Sequence, residues 1–204
     1  MGIVDTISTV AQLPTLLKLK KGMQPREIDE KDCLGAQVEK NARQFGQSKA
    51  VVFEGVELNW SEFNAISNRF ANSFREQGLV PGDTASVFME NRIEFLATII
   101  ALNKMGITAA LINTNLTGRP LAHCISVTKS KKCIVGEERL EQLSGIKDDL
   151  ELKDGEDFLV VKDQEEVAAP NWAIDLSQVA AQQDESNPPE TVERTLGETA
   201  LYIF

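Results

Sequence analysis

Two asparagines are the clearest candidates in this sequence for contact with a ligand. Asn113 and Asn115 directly follow the apolar run 109–112, which predicts a buried strand. Ligands of open parallel sheets bind at the carboxyl ends of the strands, so both amides are predicted to lie near a substrate. The alternative is purely local. Asn113 would form an Asx-turn, while Thr114 or Asn115 would cap the helix that follows.

The sole histidine does not provide a catalytic pair. His123 stands beside Cys124 within a predicted helix, where neighbouring side chains point about 100° apart. No Ser–His–acid set can be assembled from one such histidine. The acidic pairs at 137–138 and 165–166 stand in polar stretches typical of solvent-exposed positions. No catalytic residue is therefore assigned.

Motifs that bind nucleotides or metals are absent from the sequence. Neither GxGxxG nor GxxxxGK[ST] occurs, and the junctions 89–91 and 113–115 contain no glycine to cradle a phosphate. Cys33, Cys124 and Cys133 have no CxxC spacing and no histidine cluster beside them. They are predicted to be reduced thiols that pack as small apolar side chains, with no zinc site. No cofactor-binding or metal-ligating residue is assigned.

The elements that would position the asparagines form a repeated strand–helix pattern. Strands are predicted at 84–88, 107–112 and 132–135, with helices at 91–105 and 116–128 between them. The strands are continuous apolar runs, as expected for a parallel sheet covered on both sides. The sequence therefore predicts an α/β fold in which parallel-sheet layers are flanked by helices.

Weaker patterns flank this unit. Upstream, we predict a helix at 30–45 ended by Gly46, a hairpin at 50–59, and a helix with the apolar stripe Phe63, Ile66, Phe70 and Phe74. Downstream, we predict a strand at 157–161, a helix at 176–181, a surface linker at 184–195 and a last strand at 200–204.

The charge distribution argues against nucleic acid as a partner. The net charge is −10, and the stretch from Glu137 to Glu198 holds 18 acidic and five basic side chains. A nucleic-acid surface requires the opposite balance. The acidic stretch is interpreted as a solvated face of the protein.

Residues 1–29 are predicted to be a separate amphipathic segment. Apolar residues recur at helical spacing between Ile3 and Leu17, and lysines follow as far as Lys21. Such a helix can lie on a membrane surface, or it can dock on its own protein or on a partner. Pro14 would kink it. No run of apolar residues is long enough for a transmembrane span.

Several motifs resemble those of adenylate-forming (AMP-binding) enzymes. The run ELNWSEFN at 57–64 is similar to their first core motif, and the spacing through 78–83 and 94–106 is similar as well. The segments AALINTNL at 109–116 and PLAHCI at 120–125 resemble the very-long-chain acyl-CoA synthetases. That branch of the superfamily includes the fatty-acid transport proteins.

This resemblance extends from about Lys31 to Phe204 and implies that residues 30–204 form part of an AMP-binding domain. In the family, a strand like 200–204 leads directly into a Thr-Ser-Gly-Thr-Thr-Gly phosphate loop. The sequence stops at Phe204, within an apolar run. We therefore expect an incomplete N-terminal domain, a fragment that is inactive alone and requires no cofactor by itself.

The resemblance also implies the reaction of the parent enzyme. A fatty acid would react with ATP and Mg²⁺ to give an acyl-adenylate, and coenzyme A would then displace AMP. The acyl chain length cannot be predicted, and a bile acid or an aromatic acid remains an open alternative. The expected location is the cytoplasm, with peripheral contact to the inner or plasma membrane through residues 3–21.

Two functions of other classes also fit the sequence. The strand–helix unit would suit a complete, non-catalytic α/β binding module, because a fold does not determine a function. The amphipathic segment would suit a scaffold attached to the membrane surface.

Overall fold

The computed structural model describes residues 25–163 and 168–204. Within these ranges, six helices span Leu34–Phe45 (α1), Trp60–Glu76 (α2), Ile93–Lys104 (α3), Gly118–Val127 (α4), Leu140–Ser144 (α5) and Leu176–Ala181 (α6). Eight strands span Lys49–Phe53 (β1), Val56–Asn59 (β2), Thr84–Phe88 (β3), Thr108–Leu111 (β4), Lys132–Gly136 (β5), Phe158–Val161 (β6), Ile174–Asp175 (β7) and Leu201–Ile203 (β8). Short 3₁₀ turns occupy Glu137–Arg139, Lys147–Asp149 and Pro189–Glu193. The segment at 3–21 and the acidic pair at 165–166 lie outside the described residues.

The main sheet is parallel throughout, with the strand order β7-β6-β5-β3-β4-β8. Strands β1 and β2 form a separate antiparallel hairpin. The predicted strands at 84–88, 107–112, 132–135, 157–161 and 200–204 all contribute to the parallel sheet. The predicted α/β fold is thus confirmed.

Two hydrophobic cores cover the two faces of the sheet. On the first face, α2, α3 and α6 pack on strand side chains such as Val87 and Leu159. On the second face, α4 and α5 pack on Cys133, Val135 and Phe158. Alternate residues of a strand point to opposite faces, so apolar residues are needed at consecutive positions. This explains the continuous apolar runs in the sequence.

Local signals position the hairpin and α2. Glu54 and Gly55 both have positive φ (48° and 85°), as a tight two-residue hairpin turn requires. The Asn59 side chain accepts a hydrogen bond from the Glu62 backbone N–H at 2.9 Å, and the Glu62 carboxylate accepts one from the Asn59 N–H at 2.8 Å. This reciprocal capping box starts α2.

Helix α1 differs from the predicted helix at 30–45. It begins at Leu34, because the Cys33 side chain caps it by accepting a hydrogen bond from the Ala36 N–H at 3.3 Å. Cys33 is therefore a polar cap and not merely an apolar filler. Leu34 and Phe45 are 49% and 54% exposed, since the buried residues of α1 are Gly35, Val38 and Glu39.

The segment predicted as a surface linker is held firmly to the fold. Asn68 and Asn72 on α2 donate side-chain hydrogen bonds to the backbone carbonyls of Glu185 and Asp184 at 2.7 and 2.8 Å. A 3₁₀ turn follows before the chain enters β8. The segment lies at the surface and leads to β8 as predicted, and amide side chains on α2 satisfy part of its polar backbone.

Within the described ranges, no helix has the length and apolar character needed to cross a membrane.

Helix α1 approaches α3 closely at Gly35. A Cβ atom there would lie 2.3 Å from Cγ of Lys104, whose side chain is fully buried. Gly35→Ala should therefore lower the free energy of unfolding by about 1–3 kcal/mol, although glycine is ordinarily worse than alanine within a helix. Gly145→Ala is the matched control, because its Cβ would meet no atom closer than 3.6 Å. Urea unfolding gives the free energy of unfolding of both variants. If Gly35→Ala is no less stable than Gly145→Ala, the close contact at Gly35 is contradicted.

Candidate functional site

The candidate site lies at the carboxyl edge of the parallel sheet. Strand β3 leads into α3 on the first face, whereas β4 and β5 lead to α4 and α5 on the second face. The segments that follow β3 and β4 therefore diverge. In open α/β sheets, ligands bind in the crevice formed at such a point.

A cleft of about 240 Å³ occupies this position. It is lined by side chains that follow three adjacent strands: Met89, Glu90, Asn91 and Phe95 after β3, Leu111, Ile112, Asn113 and Thr114 at the end of β4, and Ile203 and Phe204 at the end of β8. Six of these ten residues are apolar, and the polar groups lie near the strand ends. This combination is typical of a small-molecule site.

The two predicted asparagines have different positions. Asn113 lines the cleft, whereas Asn115 does not. The Asn113 Oδ1 accepts a hydrogen bond from the Asn115 backbone N–H at 2.9 Å, which is the Asx-turn considered as the alternative. Neither Thr114 nor Asn115 caps the following helix, since Thr117 occupies the position before α4.

A buried arginine lies beside the cleft. Arg92 directly precedes α3 and is 7% exposed. Its Nη2 donates to the carbonyl oxygen of Val161 at 2.7 Å and lies 3.7 Å from the Glu138 carboxylate. Its Nη1 lies 3.1 Å from Asp163. Arg92 thus ties the carboxyl ends of β3, β5 and β6 together.

Glu138 is the second member of this charged cluster. It follows β5, and its Oε1 accepts a hydrogen bond from the Glu90 backbone N–H at 2.8 Å. Arg139 pairs with the Glu90 side chain. Burial raises the pKa of Glu138, and the positive charge of Arg92 partly opposes this shift. Glu138 is exposed, as the sequence predicted for the 137–138 pair, although its carboxylate contacts Arg92 and the Glu90 N–H.

The arrangement can bind and orient a ligand, and it lacks a nucleophile–base pair. His123 is exposed on α4, next to a half-buried Cys124. Sequence reasoning missed Arg92 and Arg139, and it interpreted Glu138 only as part of an exposed acidic pair. All three lie in the segments that follow β3 and β5, and the position after a strand is the signal that identified Asn113.

The ion pair between Arg92 and Glu138 gives a titration test. Arg92→Gln removes the positive charge that favours the Glu138 carboxylate, so the pKa of Glu138 should rise further. Carboxyl NMR titration measures this pKa. Arg43→Gln on α1 is the control, because Arg43 pairs with Glu39 instead. A Glu138 pKa that stays unchanged in Arg92→Gln would contradict the described geometry.

Comparisons with known proteins identify the family. The model of the AMP-binding enzyme family matches residues 38–204. Human long-chain fatty acid transport protein 1 is 37% identical over 99 residues, which cover 48% of this chain and 15% of that protein. Other mammalian transport proteins of this name are matched over 14–15% of their length, so the match spans a small part of these relatives.

Solved structures share the fold at low sequence identity. A fatty acyl CoA synthetase from Mycobacterium tuberculosis gives a TM-score of 0.70 at 19% identity, covering 86% of this chain and 33% of that one. A long-chain-fatty-acid–CoA ligase from Archaeoglobus fulgidus gives a TM-score of 0.67 at 21% identity, covering 88% and 35%. The resemblance found in the sequence is confirmed, and the chain belongs to the AMP-binding enzyme family.

Proposed function

We propose that this chain forms the N-terminal part of the AMP-binding domain of an ATP-dependent long-chain or very-long-chain fatty acid–CoA ligase. Residues 30–204 would belong to that domain, and residues 1–29 would be a separate amphipathic segment. The observation that carries the proposal is the 37% identity to a long-chain fatty acid transport protein, in a chain that has a partly apolar cleft at the carboxyl edge of its sheet.

The proposed reaction has two steps. A fatty carboxylate attacks the α-phosphorus of ATP and expels pyrophosphate, which leaves an acyl-adenylate. The thiolate of coenzyme A then attacks the acyl carbon and expels AMP, which leaves the thioester. Both steps require the acyl group to be held away from competing water.

The cleft supplies a suitable wall for an acyl chain. Phe95, Leu111 and Ile203 present apolar surface, while Asn113 and Thr114 present polar groups at the strand ends. Complete small-molecule pockets enclose about 300–1,000 Å³, so a cleft of about 240 Å³ would be one part of a larger site. Asn113 and Asn115 are proposed to lie near the substrate, with Asn113 in contact with it.

The residues described by the structure do not fit a triphosphate or its Mg²⁺. The junctions after β3 and β4 carry Glu90, Asn91 and Asn113 where a glycine-rich backbone cradle would be needed. In the described part of the chain, no three His, Cys, Asp or Glu side chains are grouped to hold a metal. We propose that ATP, Mg²⁺ and coenzyme A are bound mainly by other parts of the full-length enzyme.

The proposed location is the cytoplasm, with peripheral contact to the inner or plasma membrane through residues 3–21. Long-chain fatty acids concentrate in lipid. An enzyme held at the membrane surface by a basic amphipathic helix would therefore meet its substrate there.

A photoreactive fatty acid tests whether the cleft binds an acyl chain. A diazirine-bearing palmitate should label residues 89–95 and 111–114, and excess oleate should compete with it. Thr114→Glu places a negative charge in the cleft lining and should lower labelling several-fold, by repulsion of the fatty carboxylate. Thr117→Glu is the matched control on the same connection, outside the lining. Labelling that is spread over the surface, or that oleate leaves unchanged, would speak against the cleft as an acyl site.

Thioester formation tests the proposed activity. With ATP, Mg²⁺, coenzyme A and oleate, the 204-residue chain should give only background acyl-CoA, because it lacks the triphosphate grip. The full polypeptide of the same reading frame should release pyrophosphate and form oleoyl-CoA. A parallel reaction with benzoate in place of oleate serves as the comparison. Turnover by the 204-residue chain would refute the proposed division of roles. The proposed ligase activity would be refuted if the full polypeptide failed to activate any fatty acid, or if the reading frame ended at Phe204.

A further inference from the structure

The side chain of Glu90 decides the charge of the cleft. Of the ten side chains that line the cleft, only that of Glu90 is ionisable. It is half-buried and follows directly on the last residues of β3. An unpaired carboxylate at this position would repel an anionic ligand and attract a cationic one. The partners of Glu90 therefore determine which ligands the cleft accepts.

Two consecutive residues after β5 hold Glu90. The Glu138 carboxylate accepts a hydrogen bond from the Glu90 backbone N–H at 2.8 Å, and Arg139 forms an ion pair with the Glu90 carboxylate. The backbone and the side chain of Glu90 are thus each held by a separate contact.

The end of β5 has the shape that this double contact requires. A Cβ atom on Gly136 would overlap the carboxylate of Glu138. Glycine at position 136 therefore leaves the space in which the Glu138 carboxylate folds back over the strand end and meets the Glu90 N–H. This contact fixes the short segment that carries Arg139.

The neighbouring cation is occupied by other carboxylates. Arg92 Nη2 lies 3.7 Å from the Glu138 carboxylate, and Arg92 Nη1 lies 3.1 Å from Asp163. Among the described residues, Arg139 is the cation that pairs with Glu90. The Arg139 side chain is 22% exposed, so water screens this ion pair only in part.

We propose that Arg139 determines the charge specificity of the cleft: by neutralising Glu90, it allows the cleft to accept the anionic head group of a carboxylate ligand. This inference rests on the proposed acyl site. Arg139 is not part of the cleft lining, so it acts through Glu90. A cleft without Arg139 would carry one uncompensated negative charge and would favour neutral or cationic amphiphiles.

Photoreactive probes of equal chain length and different head groups test this proposal in the 204-residue chain. Diazirine-bearing palmitate is anionic, the corresponding primary amide is neutral, and the corresponding amine is cationic. The measured quantity is the probe concentration that gives half-maximal labelling of residues 89–95 and 111–114. In Arg139→Gln, this concentration should rise roughly three- to tenfold for palmitate, stay within about twofold for the amide, and fall for the amine. Salt at about 1 M should reduce these differences, because it screens the exposed charge.

The charge balance can be kept in two ways. Arg139→Lys retains the positive charge, and the double variant Glu90→Gln/Arg139→Gln removes both charges, so both should bind palmitate nearly as the natural chain does. Arg69→Gln is the matched control, because it breaks an ion pair with Glu185 on α2, away from the cleft. The terminal carboxylate of Phe204 is the same in every variant, so it does not affect the comparison.

Several results would overturn the role of Arg139 and leave the acyl site standing. Arg139→Gln could leave the palmitate concentration unchanged, or it could raise the concentrations of palmitate and amide equally, as a purely structural role would. The double variant could fail to restore palmitate labelling, or the cleft of the natural chain could be labelled by the amide and not by palmitate. By contrast, a natural chain whose cleft is labelled by neither probe would refute the acyl site itself and this inference with it.

Discussion

Burial of a parallel sheet on both faces is the constraint on which the rest of this structure depends. The inner strands place alternate side chains in two separate cores, so neither face can be left to solvent. The chain covers both faces by sending the helix after β3 to one side and the helices after β4 and β5 to the other. The connecting segments must then separate at the carboxyl edge, and the cleft is the space between them. The candidate site is thus a geometric consequence of covering the sheet.

Among the described residues, the same architecture buries two cations, and each is neutralised in a different way. Arg92 is matched by carboxylates and a carbonyl group at the ends of neighbouring strands. Lys104 is matched by one carboxylate and two amides on neighbouring helices. A buried charge without partners would cost several kcal/mol, so both clusters require the surrounding elements to be in place. They join segments that are far apart along the chain.

Local sequence patterns predicted most of the elements and part of the site. The apolar runs that became β3 and β5 were identifiable because both faces of those strands are buried. Asn113 was found because it directly follows such a run. The sequence could not predict the strand order, in which β8 returns beside β4, because parallel pairing depends on contacts between distant segments. It also could not predict that α1 packs through Gly35 and Val38 and leaves Leu34 and Phe45 exposed, since periodicity alone does not reveal which residues meet a neighbouring helix.

Lys104 shows most clearly where sequence reasoning stops. Its partners Glu39, Asn64 and Asn68 lie 65, 40 and 36 residues away, so no local pattern distinguishes it from a surface lysine. The segment 184–187, which Asn64 and Asn68 hold through hydrogen bonds, continues through a 3₁₀ turn into β8, where Ile203 lines the cleft. Among the described strands, β8 pairs only with β4. Its other support comes from the segment before it, where Arg194 lies against Gly106, a residue with φ of 69° and no side chain in the way. The segment that leads into this wall of the cleft is therefore held in part by polar contacts on α2, the helix that also supplies two of the partners of Lys104.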